Sequence, residues 1–179
     1  KALAQIKHSE VPFDDFKREP LLPNKLSQLG PGQAWGDIDG DGLDDLYLGG
    51  AKGSPRYAYL RQSDGSFKPR PIPQDDTDRQ AEDMGALLFD ADADGDQDLY
   101  VVSGGVECDE GAACLQDRLY FNDGSGNFIK APPGYLPNNK VSGSSISAAD
   151  FDRDGDLDLF VGGRSIPGKY PLAAVSLLL

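Results

Sequence analysis

The chain has 179 residues, 30 of them acidic and 17 basic, for a net charge of −13, and it is long enough for one domain with a sizeable core. An acidic surface of this kind repels a phosphate backbone, which argues against nucleic acid as a partner. No stretch approaches the ~18 uninterrupted apolar residues of a membrane-spanning helix, and 22 Gly and 13 Pro spread along the chain fit many short strands joined by tight turns.

Residues 1–32 begin at Lys1 without an apolar signal core, so any targeting segment is expected to have been removed or excluded. Pro20, Pro23 and Pro31 argue against a long helix there. From residue 33 the chain repeats itself. Trp35–Gly50, Leu88–Ser103 and Ala148–Gly163 align, with their first Asp at 37, 90 and 150, so the period is 53 and then 60 residues. Each unit reads as strand, acidic loop, strand, longer connection, strand, Gly-rich turn, strand. The apolar runs after the loops, at 46–48, 99–102 and 159–161, are expected as buried central strands. Tyr57–Arg61 and Arg118–Asn122 precede Asp-Gly turns, a strong hairpin signal. Residues 71–84 and 131–145 read as polar connections between units, and the apolar tail Leu172–Leu179 as a cut strand.

Four antiparallel strands at a period of about 50 residues match one propeller blade. The expected architecture is all-β: a non-repeat segment at 1–32, then blades at 33–70, 83–130 and 144–179, the last truncated. Rings close with about four to eight blades, so three imply a fragment, completed by further blades or by self-association. Trp35 and the aromatics Tyr47, Tyr100 and Phe160 recur in register, and packing explains them.

The acidic excess is local: five Asp lie in each loop, at 37–45, 90–98 and 150–158. A D-x-D-x-D-G-x-x-D spacing supplies the six to eight oxygens that calcium takes at about 2.3–2.6 Å. The expected ligands are the carboxylates of Asp37, Asp39, Asp41 and Asp45 with the Leu43 carbonyl; Asp90, Asp92, Asp94 and Asp98 with the Asp96 carbonyl; and Asp150, Asp152, Asp154 and Asp158 with the Asp156 carbonyl. Three calcium ions are expected. Gly42, Gly95 and Gly155 stand at the sixth position, where the chain must turn sharply. An EF-hand needs a bidentate Glu at position twelve, whereas here that position holds Leu48, Val101 and Val161. Four carboxylates this close repel one another unless a cation sits among them.

The run Gly36–Gly50 resembles an FG-GAP/VCBS repeat, the blade of integrin α-subunit propellers and of many bacterial surface and secreted proteins. The segment Asp15–Ser27 followed by the first repeat is similar to the bacterial relatives of cartilage acidic protein. The resemblance implies a propeller, usually of about seven blades, with calcium between the first two strands of several blades, and secretion or surface display.

Cys108 and Cys114 are read as a disulfide in preference to free thiols or a metal pair, which implies an oxidising compartment. The functional reading is an extracellular or periplasmic module that binds a protein or glycan, with calcium as a structural staple and no catalytic residues. The alternative is the propeller portion of a secreted carbohydrate-active enzyme of lyase or dehydratase type. Against it, no nucleophile elbow, zinc motif or phosphate-cradling loop occurs. Tyr57, Tyr59, Tyr120, Arg61 and Arg118 are candidates for a sugar-binding face, though aromatics at alternate strand positions are more often core.

Overall fold

Short β-strands carry nearly all the regular structure in the computed structural model of the chain, which describes residue 3 and residues 6–179. The segment before the repeats is organised by one buried carboxylate. Asp15 opens the one-turn helix α1 (Asp15–Arg18) and accepts from Leu26 N at 2.8 Å, Ser27 N at 2.9 Å and Ser27 Oγ at 2.5 Å. Burial acts to raise its pKa, but these hydrogen bonds outweigh that and hold it below the usual carboxylate range.

Blade 1 is the antiparallel sheet β1 (Gln33–Gly36), β2 (Asp45–Leu48), β3 (Tyr57–Arg61) and β4 (Phe67–Pro71), in that spatial order. Blade 2 repeats it with β5 (Glu82–Phe89), β6 (Asp98–Gly104), β7 (Arg118–Asn122) and β8 (Phe128–Lys130). Blade 3 has β9 (Ser142–Ala149), β10 (Asp158–Ser165) and the two-residue β11 (Leu177–Leu178). The three blades stack in a row and do not close a ring.

Blade 2 is buried on both faces, and β6 shows how. Side chains alternate across a strand, and all seven β6 residues are buried. Leu99 and Val101 enter a core shared with Tyr47, Ala58 and Leu60 of blade 1. Tyr100 and Val102 enter a second core shared with Leu159 and Val161 of blade 3. Each fully buried side chain of this size contributes about 1.5–3 kcal/mol, so β6 anchors both junctions.

The inner strands β1, β5 and β9 approach one another backbone to backbone. A Cβ on Gly32 would lie 2.8 Å from the backbone of Gly85, and one on Gly85 would lie 2.7 Å from Ser144 O. Only glycine permits that approach. Gly104 and Gly143 form a parallel bridge between blades 2 and 3 at the same inner edge.

A buried ion cluster locks blade 1 to blade 2. Asp83 Oδ2 accepts from Arg56 Nε at 2.5 Å, Tyr47 Oη at 2.9 Å and Gly50 N at 2.9 Å, and its Oδ1 accepts from Arg118 Nη2 at 2.6 Å. Burial acts to raise the Asp83 pKa, but the Arg118 and Arg56 guanidiniums more than offset it and hold the carboxyl below its ordinary value.

The structure corrects five expectations. Residues 71–84 are not merely a polar link: Ile72 and Asp78 are buried, Asp78–Gln80 form a 3-10 turn, and β5 starts at Glu82. The link 131–145 is likewise shorter, because β9 starts at Ser142. Packing covers Tyr47 and Tyr100 completely but leaves Trp35 and Phe160 about half exposed, since those two point away from blade 2. The proposed sugar face is divided: Tyr120 and Arg118 are buried at the junction of blades 1 and 2, while Tyr57, Tyr59 and Arg61 lie on the opposite face of blade 1. Of the tail Leu172–Leu179, only Leu177 and Leu178 pair as a strand. Cys108 and Cys114 are bonded to each other in the connection between β6 and β7.

Candidate metal centre

Each acidic loop joins the first strand of its blade to the second, so all three occupy the same place in the repeat. The sixth-position glycines have φ of 83°, 96° and 101° at Gly42, Gly95 and Gly155. Those values lie beyond the small left-handed well open to other residues. Position four is also left-handed, at Gly40 (74°), Ala93 (62°) and Arg153 (65°), a feature the repeat pattern did not signal.

The first Asp of each of the first two loops gathers the turn by accepting backbone N–H groups. Asp37 takes them from Asp41 at 3.1 Å and Gly42 at 2.9 Å. Asp90 takes them from Asp94 and Gly95, both at 3.1 Å. The fifth-position carboxylates of Asp41, Asp94 and Asp154 accept from the N–H groups of Leu43, Asp96 and Asp156 at 2.9, 3.1 and 3.0 Å. That bond orients residue seven, the expected carbonyl donor in each loop.

Three carboxylate groups then converge in each loop. Asp37, Asp39 and Asp41 form one set, Asp90, Asp92 and Asp94 a second, and Asp150, Asp152 and Asp158 a third, with one oxygen from each residue of a set within 4.8 Å of the others. This oxygen-only donor set suits a hard cation. Asp39 Oδ1 is buried without a hydrogen-bond partner, as expected of an oxygen that faces a cation. Burial, then the neighbouring Asp41, raises the Asp39 pKa. Burial, then Asp94, pushes Asp96 up to about 6.

The ninth position divides the loops. Asp45 is buried and accepts from Ile38 N at 2.9 Å and Arg61 N at 2.6 Å. Asp98 does the same with Ala91 N and Asn122 N, both at 2.8 Å. These two carboxylates clip the start of the loop to the end of the third strand, and burial raises the pKa of both. Asp158 keeps the first clip, from Phe151 N at 2.7 Å, and is the only ninth-position carboxylate among the three triads. Asp154 stands outside its triad.

Asn122 has a role that the spacing did not reveal: its Nδ2 donates to Ile38 O at 2.8 Å and Gln97 O at 3.1 Å, tying the first loop to the second. Its only signal is its place at the end of a strand before Asp-Gly. Among the described residues no helix is long and apolar enough to cross a membrane. Comparison with curated proteins gives no match. The FG-GAP-like repeat matches twice, over residues 37–101 and 90–161, so the two matches together run from the first acidic loop to the third. With three equivalent blades and an acidic loop in each, the chain belongs to the FG-GAP-like repeat family.

Proposed function

We propose that this chain is a calcium-binding β-propeller module of an extracellular or periplasmic protein, and that it binds a protein or glycan while calcium acts as a structural staple. The observation that carries the reading is the convergence of three carboxylates at the same turn of every blade. Calcium accepts that many oxygens with flexible geometry, whereas zinc favours nitrogen and sulfur donors. The Cys108–Cys114 bond supports an oxidising compartment.

In this reading Asp37, Asp39 and Asp41 hold the first ion, Asp90, Asp92 and Asp94 the second, and Asp150, Asp152 and Asp158 the third. Bound calcium would neutralise carboxylates that otherwise repel, and so brace the turn. Metal analysis and calorimetric titration of the purified protein test this. The expected result is three equivalents of calcium, two for Asp92→Ala, and three for Asp44→Ala, since Asp44 is exposed and off the ligand pattern. One equivalent or none, or zinc in place of calcium, would refute it. A glycan and protein array probed with and without calcium tests the ligand class, and no calcium-dependent binder would remove the adhesion reading.

A further inference from the structure

Arg118 opens β7 and is 3% exposed, yet its guanidinium is only partly used. Nη2 donates to Asp83 Oδ1 at 2.6 Å and to Ser103 Oγ at 3.0 Å. Nε and Nη1 are buried without a hydrogen-bond partner. A guanidinium keeps its charge in a protein, so these donors are not silenced by loss of a proton. Arg56 is 0% exposed, rests on the same carboxylate and also donates to Gln74 Oε1 and Ala81 O. Two buried cations thus share the Asp83 anion, and Arg118 is the one short of acceptors. Unpaired donors on a buried charge are costly, and such groups are normally matched.

Arg118 lines a cavity of about 180 Å³, where the connection between blades 1 and 2 meets the loop before β7. It lies at the ends of the strands remote from the acidic loops. Ser103 Oγ donates on to Gln116 O, and Gln116 is part of the same wall. Asp78 and Asp117 line the cavity too, and both are engaged. Asp78 accepts from Lys130 Nζ at 2.6 Å. Asp117 accepts from Tyr100 Oη at 3.0 Å, Ser103 N at 2.8 Å and Asn139 Nδ2 at 3.3 Å. Lys140 completes the wall and has no ion-pair partner among the described residues. The charged groups left over around the cavity are therefore cationic.

We infer that this cavity binds a small monovalent anion, chloride or a carboxylate of acetate size, held by Arg118 and Lys140. Hydrogen bonds between an ionised donor and an anion are about twice as strong as neutral ones, so an anion satisfies the guanidinium better than water alone. Asp78 and Asp117 limit the ligand to one negative charge by repulsion. The bound ion completes the cluster around Asp83 and ties β7 to the turn at Asp78–Gln80. The site is separate from the acidic loops and from any calcium in them.

Thermal unfolding of the full chain in a titration of sodium acetate, and separately of sodium chloride, tests it. Sodium gluconate, whose anion is bulkier, holds the ionic strength, and calcium stays in fixed excess. The melting temperature should rise and then level off with acetate or chloride, as for an ion that binds only the folded state. Lys140→Met should weaken the apparent affinity by about tenfold or more, and Lys140→Arg should keep most of it. Lys140 is half-buried, and a melting curve for each variant in gluconate alone confirms that it folds. Lys169→Met, which instead removes the partner of Glu110, should respond like the parent. A melting temperature indifferent to both anions would show that the cavity holds only water and overturn the inference. So would a saturable response that Lys140→Met leaves unchanged, since the ion would then sit elsewhere.

Discussion

Glu82 begins the innermost strand of blade 2 with a carboxyl that is 4% exposed and whose Oε1 has no hydrogen-bond partner. Burial, followed by the nearby charges of Glu10 and Glu107, pushes its pKa from 4.5 up to about 8. The folded state therefore binds this proton more tightly than the unfolded chain does. Its stabilisation is complete below about pH 4.5 and is lost as pH rises through about 8. Glu82→Gln should melt higher than the parent above pH 8, with the gap closing towards pH 4.5, as measured by thermal unfolding across that range. A gap that does not change with pH would show that Glu82 is not the titrating group. The acidic loops offer a second test at single positions. Ala93 has φ 62°, inside the left-handed well that L residues reach, whereas Gly95 has φ 96°, outside it. Gly95→Ala should cost about 1–2 kcal/mol, while Ala93→Gly should change stability by less than about 1 kcal/mol, both read from denaturant unfolding.

At the level of the element, the strands after each loop were legible in the sequence because apolar residues run on without a polar interruption. The start of the strand before the second loop was not. Glu82 and Asp83 make its first residues look like linker, and nothing local shows that two arginines wait for Asp83. Arg56 and Arg118 lie 27 and 35 residues away, brought in by the hairpins of two different blades. The ligand spacing includes the carboxylates that converge, but it does not show that Asp45 and Asp98 also clip the loop to the third strand. Their clipping role depends on Arg61 and Asn122, which only the third strand delivers. Trp35 and Phe160 recur in register with buried aromatics, but whether a face is covered depends on the neighbouring blade. Removing the charge of Asp83 tests the junction directly. Asp83→Asn leaves two buried guanidiniums without their anion and should destabilise by about 3–5 kcal/mol, seen as a lower denaturant midpoint. Arg61→Ala, an exposed side chain on blade 1, serves as the control, since its backbone N–H to Asp45 is unaffected.

For the molecule as a whole, two apolar junctions hold the blades together, and the proposed ions would add to them. An ion that binds only the folded state contributes about 2.7 kcal/mol per site at a hundredfold excess over Kd, against a typical total of about 5–15 kcal/mol. Excess chelator should lower the melting temperature markedly, and restoring calcium, but not magnesium at equal concentration, should recover it. An unchanged curve would separate the loops from stability altogether. The curvature of the stack has a different origin. Where β1, β5 and β9 meet, the backbones of Gly32, Gly85 and Ser144 touch with no side chain between them, while the cores farther out hold blades apart by whole tyrosines and leucines. A row of plates pinched at one edge and spaced at the other must bend, and the pinch sets the angle. A larger residue at Gly85 would spread the narrow edge alone, straighten the arc and raise the number of plates needed to complete a circle. The size of any ring this chain joins is thus written in the absence of atoms along its axis.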